Sequence, residues 1–359
     1  MPSRHLRVLA VTSLCLAAGT ELRAQGVVVT SGAAEIHIGG RIQTQFATSS
    51  VDTVPATGME LRRLRLEATV RINRVVSGKI QPDFAPGNRV VMKDAWMKIA
   101  LDPALTLLAG QAFRPFSLIT ATTSVRILPI ERGVRIRGLA DVYDEYDLVS
   151  ELNYSERDVG LQLLGAPKRA PLGLTYQAGF FNGPVRAQAR GRNTYQLAAR
   201  ATVSPARELH VGAAWSSRDF VRASTTPGQT VDVARGSAYE ADVEYGSYDS
   251  AGIHLVGEAS YGDFQPFERA RFFGAQGWLG YRTHEHAGTI KAVEPVARVS
   301  YGNADVRDRL VENRGGLLLT PGVNLYLGGL NRMMFNWDLW NPIDGASQNS
   351  FKAQFQVAF

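Results

Sequence analysis

From Glu35 to the last residue, apolar and polar residues alternate in stretches of roughly 9 to 13, the period of a strand that faces two different surroundings. In the final stretch Phe351, Ala353, Phe355, Val357 and Phe359 share one face, while Lys352, Gln354 and Gln356 share the other. Upstream, Ile36, Ile38, Ile42 and Phe46 oppose His37, Arg41, Gln43 and Gln45. Leu64, Leu66, Ala68, Val70 and Ile72 oppose Arg63, Arg65, Glu67, Thr69 and Arg71. A soluble sandwich alternates too, but its strands are usually shorter, about 5 to 6 residues. Sixteen such segments can be read: 35–47, 59–73, 76–84, 90–101, 104–112, 157–165, 173–182, 193–203, 208–217, 237–246, 252–262, 272–283, 288–301, 314–327, 329–341 and 350–359. An even number suits one closed antiparallel barrel. The expected fold is therefore all-β, a transmembrane antiparallel β-barrel of 16 strands over 35–359.

The amino-terminal residues set the expected compartment. Arg4 and Arg7 precede an apolar run, Val8 to Gly19, that is too short to span a bilayer as a helix and reads as a cleavable signal peptide over 1–24. The mature chain is then expected to start near Gln25, with Gly19 and Thr20 as other cut points, and to carry a periplasmic segment over 25–34. Cys15 is the sole cysteine and lies in that run, so no disulfide or thiolate metal site remains after cleavage. Beyond the signal no apolar stretch reaches about 18 residues, which excludes helical spans and leaves a barrel as the route into a membrane. The expected location is the outer membrane of a Gram-negative bacterium. The formal charge is +6.

The connections alternate in size. A few residues join segments at Asn73–Val76, Leu101–Ala104 and Ser204–Arg207, whereas a dozen or more do so at Ala47–Gly58, Ser217–Gly236 and Gly302–Asn313, as short periplasmic turns and long outer loops would. The longest, about 113–156, is the third outer connection and is expected to fold inward and narrow the pore. Aromatics near segment ends, among them Tyr245, Tyr261, Tyr281, Tyr326, Trp337 and Phe359, suit interfacial girdles. His284-Glu285-His286 falls in a predicted turn and reads as solvated, and no hydrolase, zinc-protease or nucleotide motif occurs. No enzyme activity, cofactor, metal or nucleic-acid partner is expected.

Six stretches go further. They are Arg62-Arg63-Leu64-Arg65-Leu66, Val91-Met92-Lys93-Asp94-Ala95-Trp96, Leu108 to Phe116 (LAGQAFRPF), Ile130-Glu131-Arg132-Gly133, Arg157-Asp158-Val159-Gly160-Leu161-Gln162 and Phe180-Phe181-Asn182-Gly183. In this order they resemble the phosphate-selective porin O/P family over the first half of the mature chain. The resemblance implies a sixteen-stranded homotrimer, an inward third loop and an anion-lined lumen. The family's phosphate-specific members pair arginine ladders with lysine clusters, whereas lysine occurs here only at 79, 93, 98, 168, 291 and 352.

Alternation turns Arg41, Arg63, Arg65 and Arg71 inward, and the long connection adds Arg114, Arg126 and Arg132. Guanidinium groups stay charged and offer forked donors to oxyanions, and rings of them are a selectivity device of anion pores. These seven are the candidate anion path for small solutes such as phosphate. The same arginines can instead pair with carboxylates such as Glu67, Glu240, Asp242, Glu258, Glu294 and Asp338 and only brace the wall. Passive passage of small anions is thus the leading expectation. A weakly selective porin, or a plugged barrel acting as adhesin or enzyme, is the alternative.

Overall fold

The computed structural model describes residues 27–359 apart from 32–33, 52–56, 86, 88, 135–138, 140–142, 185–193, 223–231, 268 and 305–314. The expected signal peptide lies outside the described residues, and so do two further arginines of the long connection, Arg135 and Arg137.

Each alternating segment is a strand. A short β1 (Val27–Ser31) precedes β2 (Ala34–Thr48), β3 (Thr57–Arg71), β4 (Val76–Asp83), β5 (Val91–Asp102) and β6 (Leu105–Phe113). After the long connection come β7 (Arg157–Gly165), β8 (Thr175–Phe181), β9 (Gln196–Ala206), β10 (Leu209–Arg222), β11 (Asp232–Tyr245) and β12 (Gly252–Gln265). The wall is completed by β13 (Ala270–Arg282), β14 (Ala292–Ala304), β15 (Gly315–Gly328), β16 (Asn331–Pro342) and β17 (Gln348–Ala358). From β2 to β17 every strand pairs antiparallel with the next. The ring closes where β17 pairs with β2, from Lys352 opposite Ala47 to Ala358 opposite Arg41. The result is a closed 16-strand antiparallel barrel in which each of these strands has a partner on both sides, the condition for strands to cross a bilayer.

The edge of β2 not used by β3 is shared. β17 takes its outer part, and β1 takes its start, with Val27 opposite Ile38 and Ser31 opposite Ala34. Between the two, Phe359 exchanges both backbone hydrogen bonds with Gly40, at 2.8 and 3.1 Å.

Burial is inverted relative to a soluble protein. In β16 the buried residues include Arg332, Asn336 and Asp338, while Trp337 is 54% exposed. In β17 Lys352, Gln354 and Gln356 are buried, and Phe355 and Val357 are exposed. An exposed apolar face and a buried polar one are what a wall between lipid and a polar lumen requires. Tyr239, Tyr245, Tyr261 and Tyr281 stand on the exposed face. Tyr326 does not: it is buried and donates to Glu294 Oε2 at 2.8 Å, because its position in β15 shares the inner parity of Asn324.

Candidate functional site: a cationic cavity on one side of the barrel

The connection between β6 and β7 contains two short helices, α1 (Leu118–Ala121) and α2 (Glu145–Glu151). Asp144 caps α2 by accepting from Asp147 N at 3.0 Å. The described residues of this connection are held against the inner wall in two ways. One is apolar. Ile119, Ile127 and Leu128 pack with Val256, Trp278 and Val296, and Phe116, Leu148, Val149 and Tyr154 pack with Ala238, Phe264 and Phe272. The other is a row of side-chain donors from five adjacent strands to successive backbone carbonyls. Gln43 reaches Ser124 O at 3.0 Å, Gln356 reaches Val125 O at 3.0 Å, and Arg332 reaches Ile127 O at 2.7 Å. Asn324 reaches Leu128 O at 3.1 Å and Arg298 reaches Glu131 O at 2.7 Å. Buried carbonyls outside regular structure need such partners.

Two glycines let α2 approach the wall. A Cβ at Gly274 would stand 2.8 Å from Glu145 Cα, and one at Gly302 would stand 2.4 Å from Tyr143 O. Glu145, seated there, accepts from Ser260 Oγ at 2.8 Å. Burial, and next the nearby Glu258 carboxylate, push its carboxyl well above the ordinary range.

Between this connection and the opposite wall lies a cavity of about 610 Å³. Its cations come from β2 and β3 (Arg41, Arg62, Arg63, Arg65), from β4 and β5 (Lys79, Lys93), from β7 (Arg157) and from the connection (Arg126, Arg132). Glu67, Asp94 and Glu156 are the acidic side chains in the same lining, three against nine.

The sheet itself concentrates this charge. Between β2 and β3 the pairing steps from Gln43–Arg63 to Thr44–Leu61, which leaves Arg62 as an extra, bulged residue. Both Arg62 and Arg63 then reach Glu131, Arg62 Nε at 2.5 Å and Arg63 Nη2 at 3.0 Å. Between β4 and β5 it steps from Gln81–Asp94 to Pro82–Met92, leaving Lys93 in the same position. A bulge re-aims a side chain that strict alternation would send to the other face. Neither Arg62 nor Lys93 was expected inside, although each had a signal: a charged neighbour beside a charged residue in one strand. A charge on the lipid face costs about 2–4 kcal/mol near the bilayer midplane.

Of the seven expected path residues, Arg41, Arg63, Arg65, Arg126 and Arg132 line this cavity. Arg71 and Arg114 do not. Arg71 ends β3, where its largely exposed side chain meets Glu35 at 3.5 Å. Arg114 is 2% exposed, because it leaves β6 behind the cavity and bonds to Asp158 at 3.2 Å and to Ser155 O. Burial drives its pKa down to about 10 against the pull of Asp158.

Most of the arginines are braced. Arg65 meets Asp83 at 2.7 Å, Arg126 meets Asp249 at 2.9 Å, and Arg157 meets Asp94 at 2.5 Å. Burial works to neutralise Glu131, but the Arg62 and Arg63 guanidiniums outweigh it and hold the carboxyl at about 2. Three cations differ. Arg41 bonds to the Thr123 and Ser124 hydroxyls at 2.7 and 2.9 Å and approaches a carboxylate, Glu67, only to 3.9 Å. Arg132 bonds to the carbonyls of Ile119 and Thr122. Among the described residues, neither Arg132 nor Lys93 makes an ion pair. His284 and Glu285 lie in the turn between β13 and β14, and no group of described residues has the arrangement of a metal site.

The family model for phosphate-selective porin O and P matches residues 36–251. Among curated proteins none matches the chain in sequence. Among solved structures, outer-membrane OmpT of Vibrio cholerae is similar with a TM-score of 0.56 and 12% identity, over 92% of this chain and 100% of that one. The trimer form of in-vitro folded OmpT gives 0.57 and 12%, over 90% and 100%. Salmonella typhi OmpF in complex with daunomycin gives 0.57 and 10%, over 92% and 100%. At such identities the likeness is one of fold.

Proposed function

The chain belongs to the phosphate-selective porin O and P family and is an outer-membrane porin, and we propose that its water path favours small anions, phosphate among them. The observation that carries this reading is the cavity lining, in which nine cationic side chains face three acidic ones. Arg41, Lys93 and Arg132 are the groups with charge to spare, and they are the residues assigned to the passing anion. Fixed cations at a narrow point replace part of the hydration an anion sheds there, and moderate affinity permits release. In this reading the β6–β7 connection is the constriction, and it confines solutes to the side of β2–β7.

The exported chain is proposed to lose residues 1–24 and to assemble as a homotrimer, with its apolar outer face against lipid or neighbouring copies. Support for the trimer comes from the family and from the trimeric form of OmpT. One observation favours a weakly selective channel instead: Arg63, Arg65 and Arg126 each hold a carboxylate. Reversal potentials of the purified protein in planar bilayers under a KCl gradient separate the two. A potential of the anion-selective sign is expected. A cation-selective or unselective pore overturns the anion reading, and absence of any conductance overturns the channel itself.

A further inference from the structure

Glu131 is a buried carboxylate directly behind the cationic lining, bonded to two of its arginines, and the anion path as described gives it no task. Its side chain is 0% exposed, yet it is the partner of two consecutive arginines, Arg62 and Arg63, that the β3 bulge turns to the same side. It is fixed from behind. Its own carbonyl accepts from Arg298, and the preceding amide, Ile130 N, donates to Asn336 Oδ1 at 2.6 Å. Held at about 2, its carboxyl stays ionised at any working pH.

Among the described residues, Arg62 hydrogen-bonds along one edge, to Glu131. Its Nε and, at 3.4 Å, its Nη2 face Glu131, while the side chain remains 26% exposed in the cavity lining. An oxyanion in the cavity therefore meets a guanidinium that already holds a carboxylate.

We propose that Glu131 is a specificity-determining residue: a tethered resident anion that shares the Arg62–Arg63 pair with the passing solute and keeps this pair from becoming a trap for oxyanions. The proposal rests on the anion-path reading above. With the carboxylate gone, two adjacent guanidiniums present several parallel donors, the geometry that binds phosphate and carboxylates in forked fashion. A tethered competitor acts at high effective concentration, so its loss raises the affinity for a free anion.

The experiment compares the full-length protein with Glu131→Gln in planar bilayers, with reversal potential in a KCl gradient and block of chloride current by inorganic phosphate as readouts. Glu131→Gln is expected to shift the reversal potential further toward anions. It is also expected to lower the half-blocking phosphate concentration about tenfold, the worth of one charge-assisted hydrogen bond. Arg62→Gln is expected to do the reverse, because Glu131 and Arg63 then neutralise each other and the single net positive charge of the trio is lost from the path. If Glu131→Gln fails to form a heat-modifiable barrel, Arg62→Gln decides alone.

A higher conductance in Glu131→Gln with unchanged reversal potential and unchanged block would mark a merely structural role and overturn the proposal. Unchanged selectivity and block in Arg62→Gln overturn it as well. Failure of the underlying reading looks different: the unmodified protein itself then shows no anion preference.

Discussion

The inner faces of β10–β16 and of β2–β7 obey the same alternation and end in opposite states. Along β10–β16 the inward positions include Phe272, Trp278, Val296, Leu318 and Trp340, and protein fills the space in front of them. Along β2–β7 they are mainly arginine, lysine and carboxylate, and the space stays open. Large apolar inward residues mark wall that expects a protein neighbour, whereas charge alone marks neither side, since Arg298, Asp338 and Lys352 cluster where protein covers the wall.

The most direct way to break this difference is to unseat the packed side. Gly302→Leu places a side chain where the Tyr143 carbonyl and Asp144 backbone already lie, an overpacking that costs about 1–3 kcal/mol. The barrel should remain heat-modifiable while single-channel conductance rises. Unchanged conductance would mean that the seat of α2 does not limit the path.

On the open side, Lys93→Glu reverses a charge that has no ion pair among the described residues. The anion-to-cation permeability ratio should fall roughly tenfold, in line with a Coulomb term of about 1–4 kcal/mol at close range. A reversal potential equal to that of the unmodified protein would remove Lys93 from the path.

A smaller effect is expected from pH on the packed side. The Glu145 carboxyl is raised above its ordinary value by burial and by Glu258, so the seat favours its neutral form. That contribution is complete below the ordinary glutamate range and is lost as pH rises through the raised value. Protease protection of the β6–β7 connection should decline toward alkaline pH in the unmodified protein and stay flat in Glu145→Gln; parallel declines would assign the loosening to another group. Smallest of all, Arg71→Ala removes an exposed pair with Glu35 worth at most about 1 kcal/mol, and selectivity should not move. A shift there would bring the rim of β3 into the path.

All sixteen barrel strands were legible in the sequence, because a period of two reports a strand's surroundings whatever lies on each side. The short β1 fell in the stretch assigned to a periplasmic segment, where five residues give alternation little room. The cavity was legible only as far as the pleat is ideal. Arg41, Arg63 and Arg65 followed from parity, but Arg62 and Lys93 sit on register steps that parity cannot encode. Arg71 shows the opposite limit: at a strand end, correct parity leads to solvent instead of lumen. Pairing was the least readable property, since the carboxylates that brace Arg63 and Arg126 arrive from Glu131 and Asp249, distant in sequence.

The row of donors from Gln43, Gln356, Arg332, Asn324 and Arg298 grips carbonyl oxygens of the connection and leaves its side chains out of the bargain. Every amino acid carries that same oxygen. The wall therefore works as a rail: Ile127 and Leu128 stay tied by their apolar packing, while the cavity-facing positions Val125 and Arg126 can change as the track stays put, so the lining of such a channel can be rewritten without redesigning its frame.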